Sequence, residues 1–388
     1  MQRAYMDANA TTPLLPEVLE AMRPFFLERF GNASSIHRPG QQARAAVDHA
    51  REAVAALIGA RASEIVFTSG GTESDNLALF GILHEGDHLI TSAIEHSAIL
   101  HSAEELQKRG VEVTFVPCDS TGSIAPGTVR TALRPNTRLI SILLANNETG
   151  VIQPVAEFAA MAHQHGALFH TDAVQAVGKL PVSIAELECD LLSLSAHKMH
   201  GPQGVGALFV RRGLHIAPLF FGGTHERQRR AGTENVPGIV GLGAAAELAQ
   251  QWLAEGGQEE LAARRDRLEA GILQAVSGSG VNGAGAPRVA NTANLYFDHV
   301  EAEALLIALD LKGLAVSGGS ACQSGATEPS HVLMAMGLGT ERARASLRFS
   351  LSKLTTDAEI EFALAVVPPA VARLRELSPA HQAATTTK

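Results

Sequence analysis

Four side chains in this sequence could do covalent or proton chemistry on a small molecule: the Cys322 thiol, the Lys198 amine, the Asp172 carboxyl and the His96 imidazole. Cys322 lies in Ser317-Gly318-Gly319-Ser320-Ala321-Cys322-Gln323-Ser324-Gly325-Ala326-Thr327-Glu328-Pro329-Ser330. Its glycines and small polar residues predict a mobile loop, and exposure there permits the thiolate character that a nucleophile needs. A thiol on such a loop can reach a reactant and then carry a product outward. Cys118 and Cys189 lack such surroundings and read as buried small hydrophobes.

Lys198 sits in Leu194-Ser195-Ala196-His197-Lys198-Met199-His200-Gly201-Pro202 and Asp172 in Phe169-His170-Thr171-Asp172-Ala173-Val174-Gln175. Each ends an apolar, strand-like run, which is where an amine and a carboxylate can converge on one ligand. A buried lysine is costly unless its charge is paired or lost, and condensation with an aldehyde removes that charge. A pyridine ring acting as electron sink needs a carboxylate beside its nitrogen, a role that suits Asp172. His96, in Ile94-Glu95-His96-Ser97, could stack on a flat ring or shuttle protons. Thr68-Ser69-Gly70-Gly71-Thr72-Glu73-Ser74 follows a run ending at Phe67 and precedes Asp75-Asn76-Leu77-Ala78-Leu79, which reads as the start of a helix. A glycine- and hydroxyl-rich helix N-terminus favours anions, although this one matches neither the dinucleotide fingerprint nor the P-loop. By itself it is an ordinary turn; beside Asp172 and Lys198 it becomes the phosphate end of a cofactor site.

The elements that must position these groups alternate along the chain. Ala43, Val47, Ala50, Val54, Leu57 and Ile58 recur at helical spacing after Pro39, so 39–58 is expected to be an amphipathic helix. Short β-type runs follow at 65–67, 88–90, 111–116, 139–144, 168–170, 190–194 and 205–210, separated by helical stretches. This is the pattern of an α/β domain with a largely parallel sheet, whose ligands gather at the carboxyl ends of the strands. After Gly256-Gly257 comes a helix over 261–276, then a strand over 291–297 and a helix over 301–311. The expected division is a large domain, 15–255, and a smaller α+β domain built from 1–14 and 256–388 that carries the Cys322 loop.

Taken together, these motifs resemble the cysteine desulfurases of the nitrogen-fixation and iron–sulfur-assembly type, within the class V aminotransferase family. The resemblance runs from Asp7-Ala8-Asn9-Ala10-Thr11-Thr12-Pro13 through Phe30-Gly31-Asn32 and Ser195-Ala196-His197-Lys198 to Arg348-Phe349-Ser350. It implies a fold-type-I pyridoxal phosphate enzyme with a mostly parallel seven-stranded sheet, and a homodimer whose active sites borrow residues across the interface. By motif it implies that Gly71, Thr72, Ser195 and His197 touch the phosphate, and that Asn147 and Gln175 address the ring's phenolic oxygen and the substrate. It further implies that Thr233, in Gly232-Thr233-Glu234-Asn235, supplies a phosphate contact to the partner subunit. Arg348 resembles the family's carboxylate clamp, and an arginine fork matches an amino-acid carboxylate bidentately. Gly318 and Gln323 depart from the serine and threonine common in the family's loop, and Gln203 from a frequent lysine.

The activity so implied converts L-cysteine to L-alanine. Lys198 holds pyridoxal 5'-phosphate and then moves the α-proton, His96 transfers a proton, and Cys322 takes the sulfur as a persulfide for an iron–sulfur scaffold or another acceptor protein. Two rivals remain open on sequence: a selenocysteine lyase or other class V aminotransferase-like enzyme, and a protein that binds the cofactor without turnover. The pairs His163/His165 and His96/His101 do not make a full metal-ligand set, and a transient iron–sulfur contact at Cys322 is the one metal candidate.

Composition fits this picture. The 388 residues are 46% hydrophobic and 18% charged, enough for a large core, and the net charge of −9 offers no broad basic field for nucleic acid. Arg227, Arg229 and Arg230 read as a local solvated or inter-subunit patch. Three unpaired cysteines point to a reducing compartment, and neither a signal-type segment nor an apolar run of about 20 residues is evident, so a cytoplasmic protein with no membrane partner is expected.

Overall fold

The computed structural model describes residues 3–319 and 328–377. Its centre is a seven-stranded sheet in the spatial order Ile65–Thr68, Gly206–Val210, Leu191–Ser195, Leu168–Asp172, Thr137–Ser141, His88–Ser92, Glu112–Val116. Gly206–Val210 pairs antiparallel with both neighbours, and every other pairing is parallel. Six strands therefore point their carboxyl ends to one edge. Apart from the partly exposed edge strand Glu112–Val116, the strands are short and almost wholly buried, as expected of a sheet covered on both faces.

The seven expected runs are all strands, with two local differences. The ladder containing 139–144 stops at Ser141. Beyond it the chain stays extended through single bonds, Ile142 N to His170 O at 3.2 Å and Leu144 N to Asp172 O at 2.9 Å. The helix after the glycine turn begins at Gly71, well before Asp75. The Glu73 carboxylate accepts from Ser69 N at 2.8 Å and closes the first turn, offsetting the poor helix propensity of the glycines.

The helix Arg38–Leu57 starts under a His37 cap, whose Nδ1 accepts from Gly40 N at 3.3 Å. It packs against Val236–Ala254, and Gly243 is what allows the approach: a Cβ there would stand 2.6 Å from Ala50 Cα. A second apolar cluster joins Ala4 and Met6 to residues between Leu261 and Val371, including Leu295, Phe297, Leu347 and Phe349. Its framework is an antiparallel sheet in the order Ser317–Gly318, Ser346–Ser350, Thr292–Phe297, Ser279–Val281, backed by the helices Gly257–Ala275, Ala302–Asp310 and Asp357–Leu377. The apolar cluster that joins the helices Arg38–Leu57 and Val236–Ala254 to the seven-stranded sheet reaches across to this part of the chain through Val332, Leu333 and Met336.

One buried ion pair ties the first helix to the sheet. Arg51 donates to both Glu226 oxygens at 2.7 Å and to Ile65 O at 2.8 Å, with its guanidinium over the Phe67 ring, while Glu226 also accepts from Phe67 N at 3.1 Å. Both residues are more than 90% buried, so removing one strands the other. Arg51→Ala is expected to cost about 3–5 kcal/mol, read as a lower urea midpoint.

Candidate active site

The carboxyl edge of the sheet opens into a cavity of about 560 Å³. Ten residues singled out from sequence line it: Gly71, Thr72, His96, Asn147, Asp172, Gln175, Ser195, His197, Lys198 and Arg348. Asp172 is the last residue of Leu168–Asp172, and Lys198 closes a single 3-10 turn after the neighbouring strand Leu191–Ser195. Parallel pairing of these strands thus brings the acid and the amine to one pocket. Thr233 is exposed and does not line the cavity. Cys322 lies outside the described residues.

At one end of the pocket the helix Gly71–Phe80 presents its first N–H groups. Ser195 Oγ is buried there without a hydrogen-bond partner, and a Cβ on Gly71 would come within 2.8 Å of Val174 Cγ2. A helix start, an unspent hydroxyl and a position that only glycine fills comfortably make a cradle for a phosphate-sized anion. His197 stands beside it, its Nδ1 3.1 Å from Thr11 Oγ1.

At the other end Asp172 Oδ1 accepts from Val174 N at 2.9 Å. Burial pushes its pKa up, while the charges of His96 and Lys198 and the Val174 N–H pull it down. A cationic ring nitrogen in the pocket would add to that pull. Lys198 Nζ donates to Asn9 O at 2.6 Å and Ala10 O at 2.7 Å. His96 caps the helix Ser97–Lys108, its Nδ1 accepting from Ala98 N at 3.1 Å, so a neutral ring carries its proton on Nε2. Burial lowers the His96 pKa and favours that neutral form. An anion-sized cradle, an amine and a buried carboxyl on one pocket are the groups that pyridoxal phosphate would need.

Arg348 is 2% exposed; it donates to Asp7 Oδ1 at 2.7 Å and to Asn147 O at 3.0 Å, and its Nε is unspent. Cys189 is buried as expected, whereas Cys118 is only half-buried against the core; both are poor nucleophiles, since burial pushes the Cys118 thiol up to about 11 and the Cys189 thiol to about 12. Gln203 is exposed and reaches Thr11 Oγ1 at 3.3 Å. His163 and His165 turn to different partners, Asp190 Oδ2 and Arg134 O, and among the described residues no three His, Cys, Asp or Glu side chains cluster as metal ligands. No helix among them is long and apolar enough to cross a membrane.

Sequence reasoning missed two buried acids, Asp75 on the pocket lining and Glu95 next to the lining residue His96. Asp75 is buried beside Asp172, and burial together with that neighbour's charge holds its carboxyl well above the usual range. Glu95 is buried too, accepting from Ser92 Oγ and Leu143 N, and burial raises it to about 8. Both are thus biased toward the protonated state, and burial raises Asp172 as well; Asp172 differs in facing His96 and Lys198, whose charges favour its anion. His331 Nε2 lies 2.9 Å from Glu95 O on the pocket wall. The signal for Asp75 and Glu95 was their adjacency to the glycine turn and to His96. Burial alone separates them from surface acids.

Comparison with known proteins agrees with this geometry. The family model described as aminotransferase class-V matches residues 4–362. A cysteine desulfurase of Gluconacetobacter diazotrophicus is 49% identical over 384 residues, covering 98% of this chain and 96% of that protein. A cysteine desulfurase IscS of Methanosarcina thermophila is 48% identical over 379 residues, covering 97% and 93%. Among solved structures, a NifS-like protein superposes with a TM-score of 0.89 at 36% identity, covering 96% of this chain and all of that one.

The raised Glu95 pKa makes its burial testable. A carboxyl titrating near 4.5 when unfolded and near 8 when folded contributes stability that is complete below pH 4.5 and is lost as pH rises toward 8. Glu95→Gln removes that titration. The urea midpoint of the wild type is expected to fall relative to the variant's between pH 5 and pH 8; parallel curves would contradict the assignment.

Proposed function

The chain belongs to the class-V aminotransferase family and acts as a cysteine desulfurase; from that premise we propose how its own residues divide the work. Enzymes of this family generally depend on pyridoxal phosphate. The observation that carries the cofactor's assignment here is the single pocket with an anion cradle at Gly71 and Ser195, an amine at Lys198 and a buried carboxyl at Asp172. Desulfurase relatives at nearly full length favour this activity over a selenocysteine lyase or another aminotransferase-like enzyme.

When bound, pyridoxal phosphate supplies an aldehyde for an amine and an electron sink for charge developing at the substrate α-carbon. Gly71, Thr72, Ser195 and His197 would hold its phosphate, with Thr233 completing the cradle of a second copy in a homodimer. Asp172 would keep the ring nitrogen protonated. Gln175 and Asn147 would address the phenolic oxygen and the substrate. Arg348 receives the L-cysteine carboxylate through its remaining N–H groups, Nε among them. Lys198 Nζ would take the substrate α-proton and return it. His96 Nε2 faces proton transfer with the neutral ring that its cap enforces.

The Cys322 thiolate attacks the substrate sulfur. A sulfur–sulfur bond forms as the substrate's carbon–sulfur bond breaks, with that bond's electron pair leaving on carbon. Protonation of that carbon completes L-alanine, and the Cys322 persulfide passes to an iron–sulfur scaffold or another acceptor protein. The reaction belongs in the reducing cytoplasm, where the persulfide is not trapped as a disulfide.

Lys198→Ala is expected to cut turnover of L-cysteine by about 10³-fold or more, within the range for loss of a general base. Borohydride should fix the cofactor to Lys198, and mass spectrometry after L-cysteine treatment should find the added sulfur on Cys322. Sulfur on Cys118 or Cys189 would overturn the acceptor assignment.

Arg348→Lys keeps the charge and loses the fork. It is expected to raise KM for L-cysteine by about 10- to 100-fold, as loss of a charge-assisted bidentate contact does. An unchanged KM would move the carboxylate site elsewhere.

A further inference from the structure

Lys179 is absent from every role so far, yet it is a lysine 6% exposed and adjacent to the pocket. Its Nζ donates to Gln175 Oε1 and, at 2.9 Å, to Asn9 Oδ1. Gln175 Nε2 in turn donates to Asn9 O at 3.0 Å, and Gln175 lines the cavity wall. Both ends of the Gln175 amide are thereby specified. Turning it over would set Nε2 against the Lys179 donor and Oε1 against the Asn9 carbonyl, two repulsive contacts in place of two hydrogen bonds.

We propose that Lys179 is a positioning residue: by donating to Gln175 Oε1 it fixes the Gln175 amide so that its second N–H is offered to the pocket. Gln175 then acts on a bound ligand as a donor and never as an acceptor. This selects a ring that carries an anionic oxygen at that point over one that carries a hydroxyl donor. The inference rests on the reading of Gln175 as the group facing the phenolic oxygen of pyridoxal phosphate.

The amine suits this task whether or not it is charged, although an uncharged amine can also accept through its lone pair, so that repulsion between a turned Oε1 and the Asn9 carbonyl then carries the lock. An uncharged amine has two N–H groups, and two acceptors are in place. Burial, with Lys198 and Arg348 nearby, lowers the Lys179 pKa well below that of a free lysine. The lock therefore works without adding a full positive charge next to the amine of Lys198.

A double-mutant cycle separates positioning from mere structure. Apo protein is titrated with pyridoxal phosphate, following the visible band, for wild type, Gln175→Ala, Lys179→Met and the double variant. Each single change is expected to weaken cofactor affinity about tenfold, the worth of one buried hydrogen bond. If Lys179 acts through Gln175, the double variant stays within about threefold of Gln175→Ala. In Lys179→Met the long-wavelength band of the bound cofactor is also expected to lose intensity to the short-wavelength band, because an amide free to turn accepts from the phenolic oxygen and favours its protonated form.

A loss near a hundredfold in the double variant, or a Lys179→Met protein that binds and absorbs like wild type, overturns the proposal. Should Lys179→Met fail to fold, Lys179→Gln takes its place. Its retained N–H donor should keep affinity within about threefold of wild type, and a tenfold loss overturns the proposal. A wild-type protein that shows no band at all instead refutes the cofactor assignment, so the two failures are told apart.

Discussion

Asn9 is the point on which the two cores and the site are registered. It is 2% exposed, and each of its polar groups is engaged. Its N–H donates to Ser350 Oγ and its carbonyl accepts from Gln175 and Lys198. Its side-chain oxygen accepts from Lys179 and Asn291, and its side-chain nitrogen donates to Asn147 O and Thr292 Oγ1. Ser350, Asn291 and Thr292 belong to the part built on the antiparallel sheet, whereas Gln175, Lys179 and Lys198 belong to the part built on the seven-stranded one. A single buried amide with no group to spare permits only one relative placement of these partners, since any shift leaves a buried donor or acceptor unmet.

That constraint explains how one pocket can draw on both ends of the chain. Asp7, two residues from Asn9, accepts from Arg348, so the N-terminal segment that receives Lys198 also sets the arginine. The carboxyl edge of the sheet supplies the remainder: five of the six strands that end there deliver the glycine turn, His96, Asn147, Asp172 and Lys198 to a common rim. Burial then tunes the electrostatics. It pushes the carboxyls of Asp75, Glu95 and Asp172 toward neutrality and holds the His96 imidazole uncharged, so a cation lying against Asp172 would favour its charged form.

The fold was legible where one local rule dominated. Apolar runs between polar turns gave the sheet, and 3.6-residue spacing gave the helix that starts at Arg38. It was illegible where rules conflicted. Pro368 and Pro369 lie inside the 21-residue helix Asp357–Leu377, where two missing N–H donors argue locally against a helix that tertiary packing of Ile360, Ala363, Val367 and Val371 nevertheless holds. Gly70 and Gly71 likewise hid a helix start that Glu73 closes from within.

By itself the sequence determined the chemical inventory: an amine, an acid and an anion-binding turn, each at the end of a strand-like run, and a cysteine among glycines. Residue type and local periodicity suffice for that, because strand ends and helix starts are set by neighbours along the chain. Only the tertiary structure decided that Asp75 and Glu95 are buried acids with raised pKa values, that Lys179 grips Gln175, and that Asn9 joins both cores. Those properties depend on desolvation and on hydrogen bonds between residues as far apart as Asn9 and Ser350, and neither is encoded in any short stretch of sequence.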